Sequence, residues 1–159
     1  MSLYDWLLFL HVLAAFAVVA AVVLYTYLTV SSRNLDRPSE VVRLFRISRV
    51  GDLLVNIGAF AALVLGIWLA IHVDGYEVWD GWVIAAIVLW LLFAETGRRV
   101  GKVYYGARDR AVQLVADGRD TASPELNAML RSQVGLLLQL ASIAIVHLLL
   151  IDMIWKPGT

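Results

Sequence analysis

Four long apolar stretches dominate this chain and leave little room for a soluble fold. Tyr4 to Val30 is nearly continuous hydrocarbon, interrupted by Asp5, His11, Thr26 and Thr29. Leu53 to Val73, Trp79 to Ala94 and Val134 to Trp155 follow the same pattern. A helix needs roughly 20 apolar residues, rising ~1.5 Å each, to cross ~30 Å of hydrocarbon. The third stretch is the shortest and reaches Gly97 if Glu95 and Thr96 sit at the interface. Only helices satisfy their own backbone groups in lipid at these lengths. The sequence therefore predicts an all-α integral membrane protein. Its single domain, residues 1–159, is an up-and-down bundle of four transmembrane helices near 4–30, 53–74, 79–97 and 133–155.

Composition agrees with that architecture. Hydrophobic residues make up 61% and charged residues 16%, against roughly 45–50% and 25% in soluble domains. The absence of cysteine excludes a disulfide scaffold and any Cys-ligated zinc or iron–sulfur centre. A formal charge of zero argues against nucleic acid as a partner. P-loop, GxGxxG, GxSxG, HExxH and CxxC motifs are missing, so nothing marks a conventional hydrolase or nucleotide enzyme. The first stretch has no Lys or Arg ahead of it and exceeds a signal-peptide core, so it reads as a retained helix.

The neutral total hides a strong segregation. Arg33, Arg37, Arg43, Arg46 and Arg49 lie between the first two spans. Arg98, Arg99, Lys102, Arg108, Arg110, Arg119 and Arg131 lie between the last two, so these connections hold twelve of the 13 basic residues. The positive-inside rule then places segments 31–52 and 98–132 in the cytoplasm and both termini outside, in a bacterial inner membrane. Trp6, Trp79, Trp82 and Trp155, with Tyr4 and Tyr76, suit an outer aromatic belt, and Tyr25, Tyr27, Tyr104 and Tyr105 a thinner inner one.

Both inner connections carry helical signals. Asp36-Arg37-Pro38-Ser39 reads as a turn and cap ahead of residues 40–50, where Arg43, Arg46 and Arg49 share one face and Val41, Leu44 and Phe45 another. That pattern suits an amphipathic helix on the inner headgroups, as plain anchoring or as recruitment of anionic lipid. Gly101 and Gly106 loosen the exit from the third span, and residues 107–117 form an amphipathic helix closed by Gly118. Ser123-Pro124-Glu125 marks another helix start, from which the fourth span can run on unbroken.

Gly58, Ala62, Gly66 and Ala70 recur every four residues in the second span, and Ala14, Ala17 and Ala21 form a related series in the first. Small stripes let helix backbones approach closely, and a cofactor against the smooth face is the other use. Ionisable residues inside a bilayer are functional candidates by default. His11 lies seven residues inward of Tyr4 and His147 eight inward of Trp155, at depths of ~10 and ~12 Å on antiparallel helices. Two imidazoles at one level suit the axial positions of haem b, or a copper ion. Alternatively each histidine hydrogen-bonds a neighbouring helix, through a carbonyl, Ser142 or Gln139, and serves packing. The outer side offers only Lys156 to haem propionates, and Met153 is expected to point away from His147. Asn56, Glu95, Gln133 and Gln139 form a second, inner polar group, in which Glu95 is placed to pair with Arg98 or Arg99.

The opening Trp6-Leu7-Leu8-Phe9-Leu10-His11, the small-residue helix ending in Tyr27-Leu28, Gly51-Asp52 and Gly66 resemble an uncharacterised family of small bacterial integral membrane proteins. That family is distantly similar to copper-resistance D-like proteins and to a four-helix, haem-dependent protoporphyrinogen oxidase. The oxidase resemblance implies a b-type haem on His11. The chain departs from that branch at Ala15 and Ala21, where Trp and Gly are expected, and it lacks both the Pro-Arg after Tyr-Leu and a lysine within the third span. The sequence thus supports a redox-type protein holding haem b or copper through His11 and His147. Its rival is a non-enzymatic scaffold, accessory subunit or homo-oligomer in the bilayer. A transporter or channel subunit has less support, because no span has a broken Gly/Pro centre.

Overall fold

A computed structural model describes residues 2–72, 77 and 79–156. It contains α1 (Leu3–Ser32), α2 (Pro38–Leu44), a 3-10 turn (Phe45–Ile47), α3 (Ser48–His72), α4 (Gly81–Ala116), α5 (Pro124–Leu130) and α6 (Gln133–Trp155). No strand occurs among the described residues. Tyr76, expected in the outer aromatic belt, and the last residues of the expected 53–74 span lie outside them. Three segments are long and apolar enough to cross a membrane: Leu3–Ser32, Pro38–His72 and Pro124–Trp155.

Each start has a local cause. Ser2 and Asp5 form a capping box on α1: the Asp5 amide donates to Ser2 Oγ at 3.2 Å and the Ser2 amide to Asp5 Oδ2 at 2.7 Å. Ser123 caps α5 with Pro124 in the first turn, as its sequence predicts. A second break intervenes at Arg131 and Ser132, where Ser132 Oγ accepts from the Gly135 amide at 3.1 Å and starts α6 afresh. The fourth span is therefore not continuous with the helix at Pro124.

The third apolar stretch differs most from expectation. Instead of ending near Gly97 and restarting at Ala107, α4 runs unbroken through Gly101 and Gly106 to Ala116, ~54 Å at 1.5 Å per residue. Gly118, at φ 71, closes it as predicted; the Arg119 and Gly118 amides reach back to the carbonyls of Leu114 and Val115 at 2.8 and 3.0 Å.

Packing is inverted relative to a soluble protein. Ala14, Ala21, Gly58, Ala70 and Ala86 are buried, while Phe9, Phe16, Phe60, Leu137 and Ile154 are exposed on the outside of the bundle. Small residues bring helices together, and large apolar ones face lipid. α1 packs along α3 and α4 along α6, the pairs meet where α1 touches α6, and α3 and α4 have little direct contact. A Cβ built at Gly58 would lie 3.0 Å from the Ala14 carbonyl oxygen and from Ala17 Cβ. The two small-residue series thus meet each other, which is their packing use.

A core of buried residues lies at the arginine-rich end. Leu28, Val41, Phe45, Tyr104, Ala107, Ala111, Leu114, Leu126 and Leu130 close a cluster joining α1, α2, α4 and α5. Val41 and Phe45 are buried there, so the apolar face of the expected headgroup helix is covered by α4 and not by lipid; Arg43, Arg46 and Arg49 remain exposed. Tyr104 stacks on Phe45 at a centroid distance of 6.3 Å, which removes it from the expected inner belt.

Candidate functional site

Open cavities lie along the bundle among the described residues, and one side chain divides them. Trp90 of α4 donates its indole N–H to the Ala59 carbonyl of α3 at 3.0 Å. Both residues line the cavities on either side, so this bond separates outer space from inner space.

The outer chamber consists of two adjoining cavities of about 110 and 480 Å³. His11, Ala15, Gly66, Ala70, Trp82 and Met153 line both, and the walls are almost wholly apolar. The small-residue stripe explains how His11 fits. A Cβ at Gly66 would lie 3.0 Å from His11 Cε1, so only glycine lets the ring edge rest on α3. Nδ1 is shielded and makes no hydrogen bond of ordinary geometry, although the backbone of Ala62 faces the ring. At the outer rim stand Tyr4 and Lys156, whose ammonium lies 5.3 Å from the centre of the Trp82 ring. Trp82 is buried in this chamber, whereas Trp6, Trp79 and Trp155 are exposed as a belt requires.

His147 is elsewhere. It is exposed on α6, its Nδ1 bonds the Ile143 carbonyl of its own helix at 2.8 Å, and it lines none of these cavities. The structure therefore does not bring His11 and His147 together, nor does His147 bond a neighbouring helix. The cause is rotation about the helix axis: α6 is apolar all round, and matched depth leaves azimuth free. Met153, expected to point away from His147, turns into the chamber beside His11. His72 stays exposed at the end of α3, with Nδ1 3.1 Å from the Trp68 carbonyl.

The inner chamber, about 940 Å³, opens between α3 and α4. At its mouth Tyr25 of α1 and Tyr105 of α4 both donate to Oδ1 of Asp52 on α3, and their hydroxyl oxygens are 3.2 Å apart. Glycines admit both rings: a Cβ at Gly51 would lie 3.2 Å from Tyr25 Cε2, and one at Gly101 3.3 Å from Tyr105 Cε2. Asn56 lines the chamber and donates to the Asp52 carbonyl at 2.7 Å. Gln139 ties α6 to α1 through Thr26 Oγ1 at 2.9 Å and the Val22 carbonyl at 3.3 Å. Glu95 joins neither chamber and pairs with Arg98 and Arg99 on the exposed face of α4, each at 2.7 Å, as its spacing predicts.

Sequence reasoning separated Asp52 from its two tyrosines and assigned Tyr25 and Tyr105 to an aromatic belt. The available signal was the Gly-Asp pair at the start of a span, because an intramembrane carboxylate requires a partner. No three His, Cys, Asp or Glu side chains cluster as a metal site among the described residues.

No curated protein and no solved structure matches this chain. A family model for predicted integral membrane proteins, DUF2269, matches residues 5–157. A bundle with small residues inside, large apolar ones outside and its charge gathered at one end is what such a family requires, and the chain belongs to DUF2269.

Proposed function

We propose that this protein crosses a bacterial inner membrane four times with both termini outside, and that its outer chamber holds haem b against His11. Segregation of twelve basic residues to two connections supports the orientation. The length of α4 and its apolar first half support a fourth span beside the three recognised by length and hydropathy. The single observation that carries the cofactor reading is the seating of His11, an imidazole laid on Gly66 in an apolar chamber open to the bilayer.

The residues present fit a haem in part. His11 would offer the iron an imidazole nitrogen, Met153 lines the same chamber with a thioether, and Lys156 with Tyr4 would give a carboxylate a polar rim. This replaces the His11/His147 pair with His11 alone or His11/Met153. A haem so bound supplies one-electron transfer. The chain's own part is to fix the His11 ring through Gly66, to exclude water with apolar walls, and thereby to set the potential of the bound group. Met153 also favours a second reading, because imidazole plus thioether suits Cu(I).

The test is an absorption spectrum, oxidised and reduced, of detergent-purified protein from haem-replete cells, with copper analysis. A Soret band lost in His11→Ala and kept in His147→Ala is expected; copper bound in its place selects the second reading. A colourless, metal-free protein overturns both in favour of a scaffold or accessory subunit. A C-terminal reporter should read periplasmic, and a cytoplasmic signal would refute the orientation.

A further inference from the structure

The inner chamber has a shape and charge pattern of its own, independent of any cofactor beside His11. From Trp90, its floor, to Lys102, at its mouth, α4 advances twelve residues, or ~18 Å. One leaflet of hydrocarbon is ~15 Å deep, half of the ~30 Å core. The slot is therefore one leaflet deep and opens sideways, because α3 and α4 have little direct contact. Its wall has a vacancy built in: a Cβ at Gly97 would meet nothing within 4 Å. Val55, Phe93 and Ala94 make the deep part apolar, as an acyl chain needs.

The mouth carries charges of both signs. Tyr25 and Tyr105 give both hydroxyl protons to one oxygen of Asp52, which leaves Oδ2 to accept from a third donor. Across the opening stands Lys102, exposed and without an ion pair among the described residues, next to Arg98, whose charge is shared with Glu95. A carboxylate with a spare oxygen beside a lysine matches a headgroup that is anionic at its phosphate and a cationic donor at its amine. We propose that this chamber binds an aminophospholipid of the arginine-end leaflet. Its acyl chain lies between α3 and α4, its phosphate meets Lys102, and its primary ammonium meets Asp52. Phosphatidylglycerol lacks the cation, and the trimethylated nitrogen of phosphatidylcholine has no proton to donate.

The protein is purified in mild detergent from vesicles of equal parts phosphatidylethanolamine, phosphatidylglycerol and phosphatidylcholine, and retained lipid is quantified by mass spectrometry. Retention of phosphatidylethanolamine about tenfold above either competitor is expected, the factor one charge-assisted hydrogen bond commonly supplies. Asp52→Asn should bring the three lipids to parity, and Gly97→Phe should lower all three together by filling the slot. If Asp52→Asn does not fold, the wild-type protein answers alone. Successive N-methylation of phosphatidylethanolamine should lower retention stepwise as donor protons are lost. Equal retention across that methyl series, a preference for phosphatidylglycerol, or a headgroup preference surviving Asp52→Asn would each overturn the proposal.

Discussion

The Trp90 indole nitrogen lies 3.0 Å from the Ala59 carbonyl oxygen, and this one bond between α4 and α3 stands between the outer and inner chambers. Its donor comes from a side chain and its acceptor from a helix backbone, so a substitution at position 90 can remove the bond and leave α3 otherwise intact. Trp90→Phe should lower stability by about 0.5–1.5 kcal/mol, the usual net worth of such a bond, and Trp90→Ala should add the loss of a large packed ring. Thermal unfolding in detergent checks the first. Increased lipid-analogue uptake in Trp90→Ala, where the partition is gone, checks the second.

His11 has a neighbour that tolerates no side chain. Gly66→Ala places a methyl 3.0 Å from Cε1, and Gly66→Leu drives the ring off α3. Overpacking of this kind costs about 1–3 kcal/mol. The expected outcome is graded destabilisation, Leu beyond Ala, with any Soret band of the wild type shifted in Gly66→Ala and lost in Gly66→Leu. Equal thermal stability of all three proteins would show that the ring has room to move.

Gly118 is the only glycine in the left-handed region among the described residues, at φ 71, and it ends α4. A Cβ there meets nothing, so the cost of Gly118→Ala is conformational alone, about 1–2 kcal/mol. The fall in melting temperature should be accompanied by faster amide exchange at Gly118 and Arg119, whose bonds to Val115 and Leu114 form the cap. An unchanged melting temperature would contradict the cap.

Asp120 holds α2 from outside the bundle. Its Oδ1 accepts from the Ser39 amide at 2.9 Å and its Oδ2 from the Ser39 hydroxyl at 2.8 Å. The backbone bond, then the hydroxyl bond and the charge of Arg37, hold the carboxyl below its ordinary value of 3.8. A group whose folded pKa is depressed contributes fully above its unfolded value and loses that contribution as the pH falls through the folded one. The protection of amides 39–45 against exchange, relative to their intrinsic rates, should therefore fall on acidification below about pH 4. Asp120→Asn should remove that dependence, and a pH response unchanged in the variant would refute the linkage.

Much of this fold is legible because hydropathy needs no partner to be read. The spans, the cap at Ser123 and the stop at Gly118 follow from residues acting within one or two turns. The continuity of α4 does not. Gly101 and Gly106 each disfavour a helix by up to ~1 kcal/mol, and what outweighs them is the burial of Val100, Tyr104, Ala107, Ala111 and Leu114 against α2 and α5. The candidate site divides in the same way. Depth along a helix is countable, but rotation is not countable in α1 and α6, which are apolar all round. That is why Met153 lines the chamber and His147 stands exposed outside it. The Asp52 cluster was hidden because its members come from three helices, 27 and 53 residues apart along the chain.

The uninterrupted course of α4 also has a mechanical meaning. The same rod forms a wall of both chambers and then becomes the post on which α2 and α5 are mounted. With no helix break at Gly101 or Gly106, the partition at Trp90 and the seat of Phe45 on Tyr104 are fixed to one continuous helix.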